Sequence, residues 1–234
     1  MINRFSHATV TAASAALMLL ATGAVYPAQA STGPATGRAA PAWPGCAVDK
    51  AARGTLYVAN SYPMPVGTVT PIQVCTNVAG KPIPVGNAPV RIAITPDGRT
   101  AYVVNQDSNN VTPISTRTDK PGKAIQVARR PSAIAITPNG KTAYVANVGF
   151  GLASSVIPIS TATNRTGKPI RVGDIPEAIV ITKDGKTAYV LNFAAASGAP
   201  EGSVTPISTA TNTAAREIIV GLNPDAIAIT PQAR

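Results

Sequence analysis

From Thr55 onward the chain is written in short apolar runs of four to six residues, separated by Pro, Gly, Asn and Asp. Some runs alternate apolar with polar positions, as in VTPIST, and others are wholly apolar, as in IAIT. A period of two places one face of a strand on a core, and a short continuous run suits a strand buried on both faces. The pattern therefore predicts many short strands rather than long helices.

These runs recur in a fixed order. TLYVAN (55–60), TAYVVN (100–105), TAYVAN (142–147) and TAYVLN (187–192) align, and their tyrosines Tyr57, Tyr102, Tyr144 and Tyr189 lie 45, 42 and 45 residues apart. Each is followed by VTPIQV (69–74), VTPIST (111–116), VIPIST (156–161) or VTPIST (204–209). Next come KPIPVG (81–86), KAIQVA (123–128), KPIRVG (168–173) and REIIVG (216–221), and then VRIAITP (90–96), SAIAITP (132–138), EAIVITK (177–183) and DAIAITP (225–231). Between the last type of run and the next YV run sit TPDGRT, TPNGKT and TKDGKT. There Asp/Asn-Gly supplies the positive φ that a tight antiparallel hairpin needs. Four antiparallel strands in every 40 to 45 residues is the pattern of a β-propeller blade.

The YVAN, YVVN and YVLN runs, the PDG-type turns and the closing P-x-A-I-A-I-T resemble the YVTN β-propeller repeat family over residues 54–231. The resemblance implies an exported or surface-associated bacterial propeller, although family members often carry seven blades and this chain has four repeats. It also implies that 91–95, 133–137, 178–182 and 226–230 are the innermost strands. Two pairings then fit the count. Either 226–230 completes the blade begun at Thr55 and seals a four-blade ring, which is the working expectation, or Cys46–Asp49 is the first inner strand and 226–230 has no partner. An unsealed ring implies an open arc, an oligomer or a fragment of a larger propeller. Pro71, Pro113, Pro158 and Pro206 fall inside the third strands, where a residue without an amide hydrogen must leave part of the outer pairing missing or bulged.

Residues 1–30 read as a secretory leader: Arg4 and His7 precede the apolar stretch Val10–Val25, which closes on Ala28-Gln29-Ala30. Residues 31–45 are a Pro/Gly/Ala-rich tether, and 46–234 form the repeat domain. No later run is long enough to span a bilayer, so the expectation is a secreted protein, free or wall-associated. Cys46 and Cys75 are the only cysteines; an oxidising compartment permits a disulfide, and the route of the N-terminal segment decides whether they meet, so both states stay open.

The chain carries 20 Lys+Arg against 10 Asp+Glu, a formal +10, and its single histidine is His7 in the leader. Histidine-assisted nucleophiles, histidine general bases and histidine zinc sites are thereby excluded from the exported domain. No cofactor or metal site is expected. Asp97 and Asp184 sit at hairpin positions, where Asp serves the turn. The variable second-to-third loops, 61–67, 106–110, 148–155 and 193–203, share one face with the loops that enter each first strand. On that face Tyr62, Phe150 and Phe193, the strand-ending Asn105, Asn147 and Asn192, and the basic Arg91, Arg129 and Arg130 are candidate ligand contacts. Asp174, Glu177, Glu201 and Asp225 occupy matching loops of later repeats, giving a face expected to be split into basic and acidic halves.

The expected function is a non-enzymatic exported binding or cell-surface interaction protein, with an unidentified protein or cell-wall polymer as partner. Binding of an anionic polymer or nucleic acid is one alternative. A lactonase-like hydrolase is the other.

Overall fold

The computed structural model describes residues 54–61, 66–149, 153–196 and 201–230. The leader, the tether, Cys46, Tyr62 and Phe150 lie outside these. Among the described residues nineteen strands fall into four antiparallel sheets. Sheet I holds β1 (Thr55–Asn60), β2 (Thr68–Gln73), β3 (Val78–Ala79) and β4 (Ile83–Pro84). Sheet II holds β5 (Pro89–Ile94), β6 (Thr100–Asn105), β7 (Asn110–Ser115), β8 (Lys120–Pro121) and β9 (Ile125–Gln126). Sheet III holds β10 (Pro131–Ile136), β11 (Thr142–Asn147), β12 (Ser155–Ser160), β13 (Arg165–Thr166) and β14 (Ile170–Arg171). Sheet IV holds β15 (Asp174–Ile181), β16 (Thr187–Ala194), β17 (Glu201–Ser208), β18 (Thr213–Ala214) and β19 (Ile218–Leu222).

The hairpin turns form as the sequence predicts. Thr95 Oγ1 donates to Asp97 Oδ1 at 2.6 Å and accepts from the Thr100 amide, while the Arg99 amide also donates to Asp97. Gly98 follows at φ 70°, and Thr137-Asn139-Gly140 and Thr182-Asp184-Gly185 repeat the arrangement. The threonine hydroxyl, with help from the backbone amide, holds the Asp97 and Asp184 carboxyls below their ordinary value. These aspartates are turn formers.

The third-strand prolines break the outer strand in two. Tyr144 pairs with Pro158 on the inner side, where the β11–β12 ladder runs through six residue pairs without interruption. In an antiparallel strand one residue's N–H and C=O point to the same neighbour, so the missing hydrogen of Pro158 faces outward. The outer strand responds by pairing only at its ends, as β13 and β14, while the Pro158 carbonyl still accepts from the Gly167 amide at 2.8 Å. Pro71, Pro113 and Pro206 repeat this, with Gly80, Gly122 and Ala215 as donors. Each single outer strand expected from the sequence is thus two short pieces.

Three apolar clusters fill the three junctions between consecutive sheets. Ala101 and Val103 of sheet II pack with Val69 and Ile83 of sheet I; Ala143 and Val145 of sheet III pack with Tyr102 and Val111 of sheet II; Ala188 and Val190 of sheet IV pack with Tyr144 and Val156 of sheet III. A hydroxyl crosses each junction as well. Tyr57 donates to Asp119 Oδ1 at 2.8 Å, Tyr102 to Asn164 Oδ1 at 2.8 Å and Tyr144 to Asn212 Oδ1 at 2.7 Å. The acceptors end the turn between third and fourth strands of the following sheet and sit at φ 53° to 55°, a conformation Asn and Asp tolerate. Burial raises the Tyr57, Tyr102 and Tyr144 phenols above their ordinary value, so they stay protonated donors.

One expectation is corrected. Residues 226–230 do not complete the first blade: among the described residues β1 pairs with β2 alone, and no backbone hydrogen bond joins 224–230 to any of them. The other inner strands are each delivered to their partner by a short hairpin, 95–99, 137–141 or 182–186, whereas 226–230 would have to find β1 three sheets away. Hydrogen exchange should show amides of β8, β9, β13 and β14 exchanging well before those of β6 and β11; equal protection of outer pieces and second strands would contradict the broken outer edge.

Candidate functional site

Each inner strand begins with the same irregularity. The residue before the opening proline has positive φ: Ala88 at 49°, Arg130 at 45°, Ile175 at 52° and Asn223 at 50°. For the β-branched Ile175 this conformation is strained. The residue after the proline is then skipped by the ladder, since the register shifts between Pro89 and Arg91, between Pro131 and Ala133, and between Pro176 and Ala178. Val90, Ser132 and Glu177 are therefore bulge residues, and Asp225 holds the same repeat position after Pro224. A bulge re-aims its side chain and bends the strand. Here it brings one residue from each repeat to a common place.

That place is a cavity of about 370 Å³ lined by Val90, Ser132, Glu177 and Asp225 together with Arg91, Gln106 and Arg130. Ser132 donates its hydroxyl to the Pro176 carbonyl at 2.5 Å, tying sheet III to sheet IV at the cavity wall. Arg91 donates to the Val90 carbonyl at 2.9 Å. Arg130 is anchored through its amide to Asn109 Oδ1 at 2.8 Å, and its guanidinium reaches Gln106 Oε1 at 3.3 Å. The Glu177 carboxyl lies above its ordinary value, chiefly through burial and then through the charge of Asp225, with Arg91 opposing. Two carboxylates and two guanidinium groups thus share one cavity. The two arginines come from sheets II and III, and the two acids from sheet IV and the segment that follows it.

The other sequence candidates fare differently. Asn105, Asn147 and Asn192 are fully buried. Their amides are used inside their own sheets: Asn105 donates to Thr112 Oγ1 and Asn192 to Thr205 Oγ1, each at 2.9 Å, and Asn147 to the Val145 carbonyl at 2.8 Å. A Cβ on Gly173 would meet the Asn192 side chain at 2.7 Å, so glycine there is what lets the outer strand close over the asparagine. Phe193 is half-buried in β16, and Arg129 is exposed and outside the cavity. Tyr62 and Phe150 lie outside the described residues. Cys75 is disulfide-bonded, and Cys46, the partner proposed from sequence, also lies outside them. Among the described residues no group of three or more metal-ligating side chains forms, and no helix is long and apolar enough to cross a membrane. Sequence reasoning left Ser132, Glu177 and Asp225 off its list of contacts. The available signal was positional: the residue after the shared proline changes from Val to Ser to Glu to Asp inside an otherwise constant frame.

No protein-family profile and no curated protein sequence matches the chain. Solved structures do. The chain is similar to hydrazine synthase from Kuenenia stuttgartiensis (TM-score 0.65, 29% identity, 71% of this chain and 46% of that one). It is also similar to a functionally unknown protein from Desulfotomaculum acetoxidans (TM-score 0.58, 21% identity, 71% and 53%). A third match is a 6-phosphogluconolactonase candidate from Bacteroides uniformis (TM-score 0.56, 15% identity, 74% and 55%). The chain spans about half the length of each. The fold is all-β, with four blade-like antiparallel sheets of the β-propeller kind.

The raised Glu177 carboxyl has a consequence for stability. A raised folded-state value contributes stability that is complete below the unfolded value and is lost as pH rises through the folded one. Glu177→Gln is therefore expected to raise the melting temperature at pH 7, with the gain disappearing near about pH 4. A variant less stable at pH 7 than at pH 4, relative to the parent, would contradict the crowding of Glu177 with Asp225.

Proposed function

We propose that the chain is an exported, non-enzymatic binding protein that holds its partner on the face where the bulged inner strands and variable loops meet. The observation that carries this is the convergence of Arg91, Arg130, Glu177 and Asp225 on one cavity. Its volume suits a few side chains of a partner rather than a large cofactor. A polypeptide segment bearing both charge signs satisfies both pairs of groups. A uniform polyanion meets the two carboxylates and is repelled by them. The leader-like N-terminus supports export, and the loop face then looks outward to an extracellular or wall-associated partner.

Anionic-polymer binding is the second reading, favoured by the exposed Arg129 and the formal charge of +10. The two separate by the sign of a mutational effect. For a mixed-charge partner, probed with an alternating Lys-Glu peptide, Arg91→Ala and Asp225→Ala each weaken binding about 5- to 30-fold in calorimetric titration. If instead polyphosphate binds and Asp225→Ala tightens it while Arg91→Ala weakens it, the polymer reading replaces this one. Turnover of a lactone panel that is lost in both Arg91→Ala and Glu177→Gln would overturn the non-enzymatic assignment.

A further inference from the structure

The outer rim of the sheets carries a charge pattern that the cavity on the inner strands does not use. In the outer segments 75–86, 117–128 and 162–173 seven cations stand against a single acid, Asp119, whose carboxylate already accepts from Tyr57 across the junction of sheets I and II. The residue that follows the amide bonded to each third-strand prolyl carbonyl is a cation in every repeat: Lys81, Lys123, Lys168 and Arg216. That bond fixes the backbone beside the cation, so positive charge returns at the same place in each sheet. Lys81, Lys120, Lys123, Arg165, Lys168 and Arg171 are all exposed. The two ion pairs among the described residues, Arg99 with Asp97 and Lys186 with Asp184, involve none of them.

Packing of consecutive sheets gathers these charges. The second outer piece of each sheet lies against the first outer piece of the next: β4 against β8, β9 against β13 and β14 against β18. Between β9 and β13 this leaves a cavity of about 680 Å³ lined by Lys123 and Arg165 with Gln126, Thr163 and Thr166, and by no acid. The same two repeat positions at the preceding junction are Lys81 and Lys120, and at the following junction Lys168 precedes β14, which itself carries Arg171. Lysine on an edge can serve to block unwanted strand pairing, but outer pieces of two residues are already too short to template it. A guanidinium and an ammonium with hydroxyl and amide donors between them match the oxygens of phosphate diesters. The outer segments contain no aromatic residue, so they offer no platform on which a nucleic-acid base could stack.

We propose that the rim of sheets I to III is a docking surface for a linear, base-free phosphodiester polymer of the glycerol-phosphate type. Lys123 and Arg165 hold it in the groove between β9 and β13. Lys81 with Lys120 on one side, and Lys168 with Arg171 on the other, extend the track across the neighbouring sheets. A linear polyanion suits this arrangement because the cations recur junction by junction instead of surrounding one point. The outer pieces and the inner strands are opposite edges of each sheet, so this surface is independent of the partner assigned to the inner-strand cavity. Binding here neutralises phosphates and releases their counterions, which makes it salt-dependent.

The probe is poly(glycerol phosphate), titrated calorimetrically into the purified chain. Its dissociation constant is expected to rise about 20- to 50-fold between about 50 and 200 mM salt, the slope for about three or four phosphates neutralised on a flexible strand. Lys123→Gln with Arg165→Gln is expected to weaken binding at least about fivefold at low salt and to flatten that slope. Lys141→Gln with Lys186→Gln removes the same charge from two exposed hairpin lysines and is expected to stay within about twofold of the parent. In the unaltered chain, bound polymer is expected to shield Lys81, Lys123 and Lys168 from acetylation and to leave Lys141 and Lys186 reactive, a readout that needs no variant to fold. Binding that ignores salt, equal losses in the two pairs of variants, shielding spread evenly over all lysines, or tighter binding of single-stranded DNA of equal charge would each overturn the proposal.

Discussion

Everything in this structure depends on one constraint: each sheet is apolar on both faces and has to be covered twice. Sheets II and III meet that demand within the chain. Their small inner-face residues, alanine and valine, let neighbours approach closely, while tyrosine fills the opposite side. Apolar packing alone is non-directional and would let the sheets slide. The tyrosine hydroxyl, pointed at an Asn or Asp about 60 residues away, removes that freedom because only one angular setting satisfies it. Position 77, 119, 164 or 212 must then carry a short side chain that both tolerates positive φ and offers an oxygen.

The binding face follows from how each sheet starts. A positive-φ residue, a proline and a bulge recur at every inner strand, which makes the backbone there the same in each repeat. With the backbone fixed, chemistry varies through a single side chain per blade. Valine and serine come from sheets II and III, and acids come from the two later repeats. Arg91 and Arg130 lie one residue beyond and two residues before those bulge positions in their own repeats. Mixed charge in a small cavity is the outcome of that arithmetic rather than of any one loop.

Much of the fold was legible in the residues themselves. Asp/Asn-Gly turns between alternating runs specify hairpins locally, and proline in a third strand announces a broken outer edge because its missing amide has to face somewhere. The bulge was not legible, since it is a one-residue offset between two strands and either strand read alone is regular. The Tyr102–Asn164 contact joins consecutive repeats, so alignment of repeats, which compares like with like, hides it. As polar strand ends, Asn105, Asn147 and Asn192 read from the sequence as candidate ligand contacts. For Asn105 and Asn192 the burial is set by the glycine that ends the preceding outer strand, Gly86 and Gly173, a packing relation carried by no local pattern. Ring closure by 226–230 looked natural from strand counting, but counting cannot say whether β1 lies within reach.

The interlock between sheets is tested most directly by a double-mutant cycle on Tyr102→Phe and Asn164→Gly, the second chosen to keep the positive φ without strain. Measured by urea denaturation, the coupling between the two positions is predicted to be about 1 kcal/mol, the net contribution of a well-aligned hydrogen bond. A coupling indistinguishable from zero would mean that the hydroxyl bridges are incidental and that apolar packing alone holds the sheets in place.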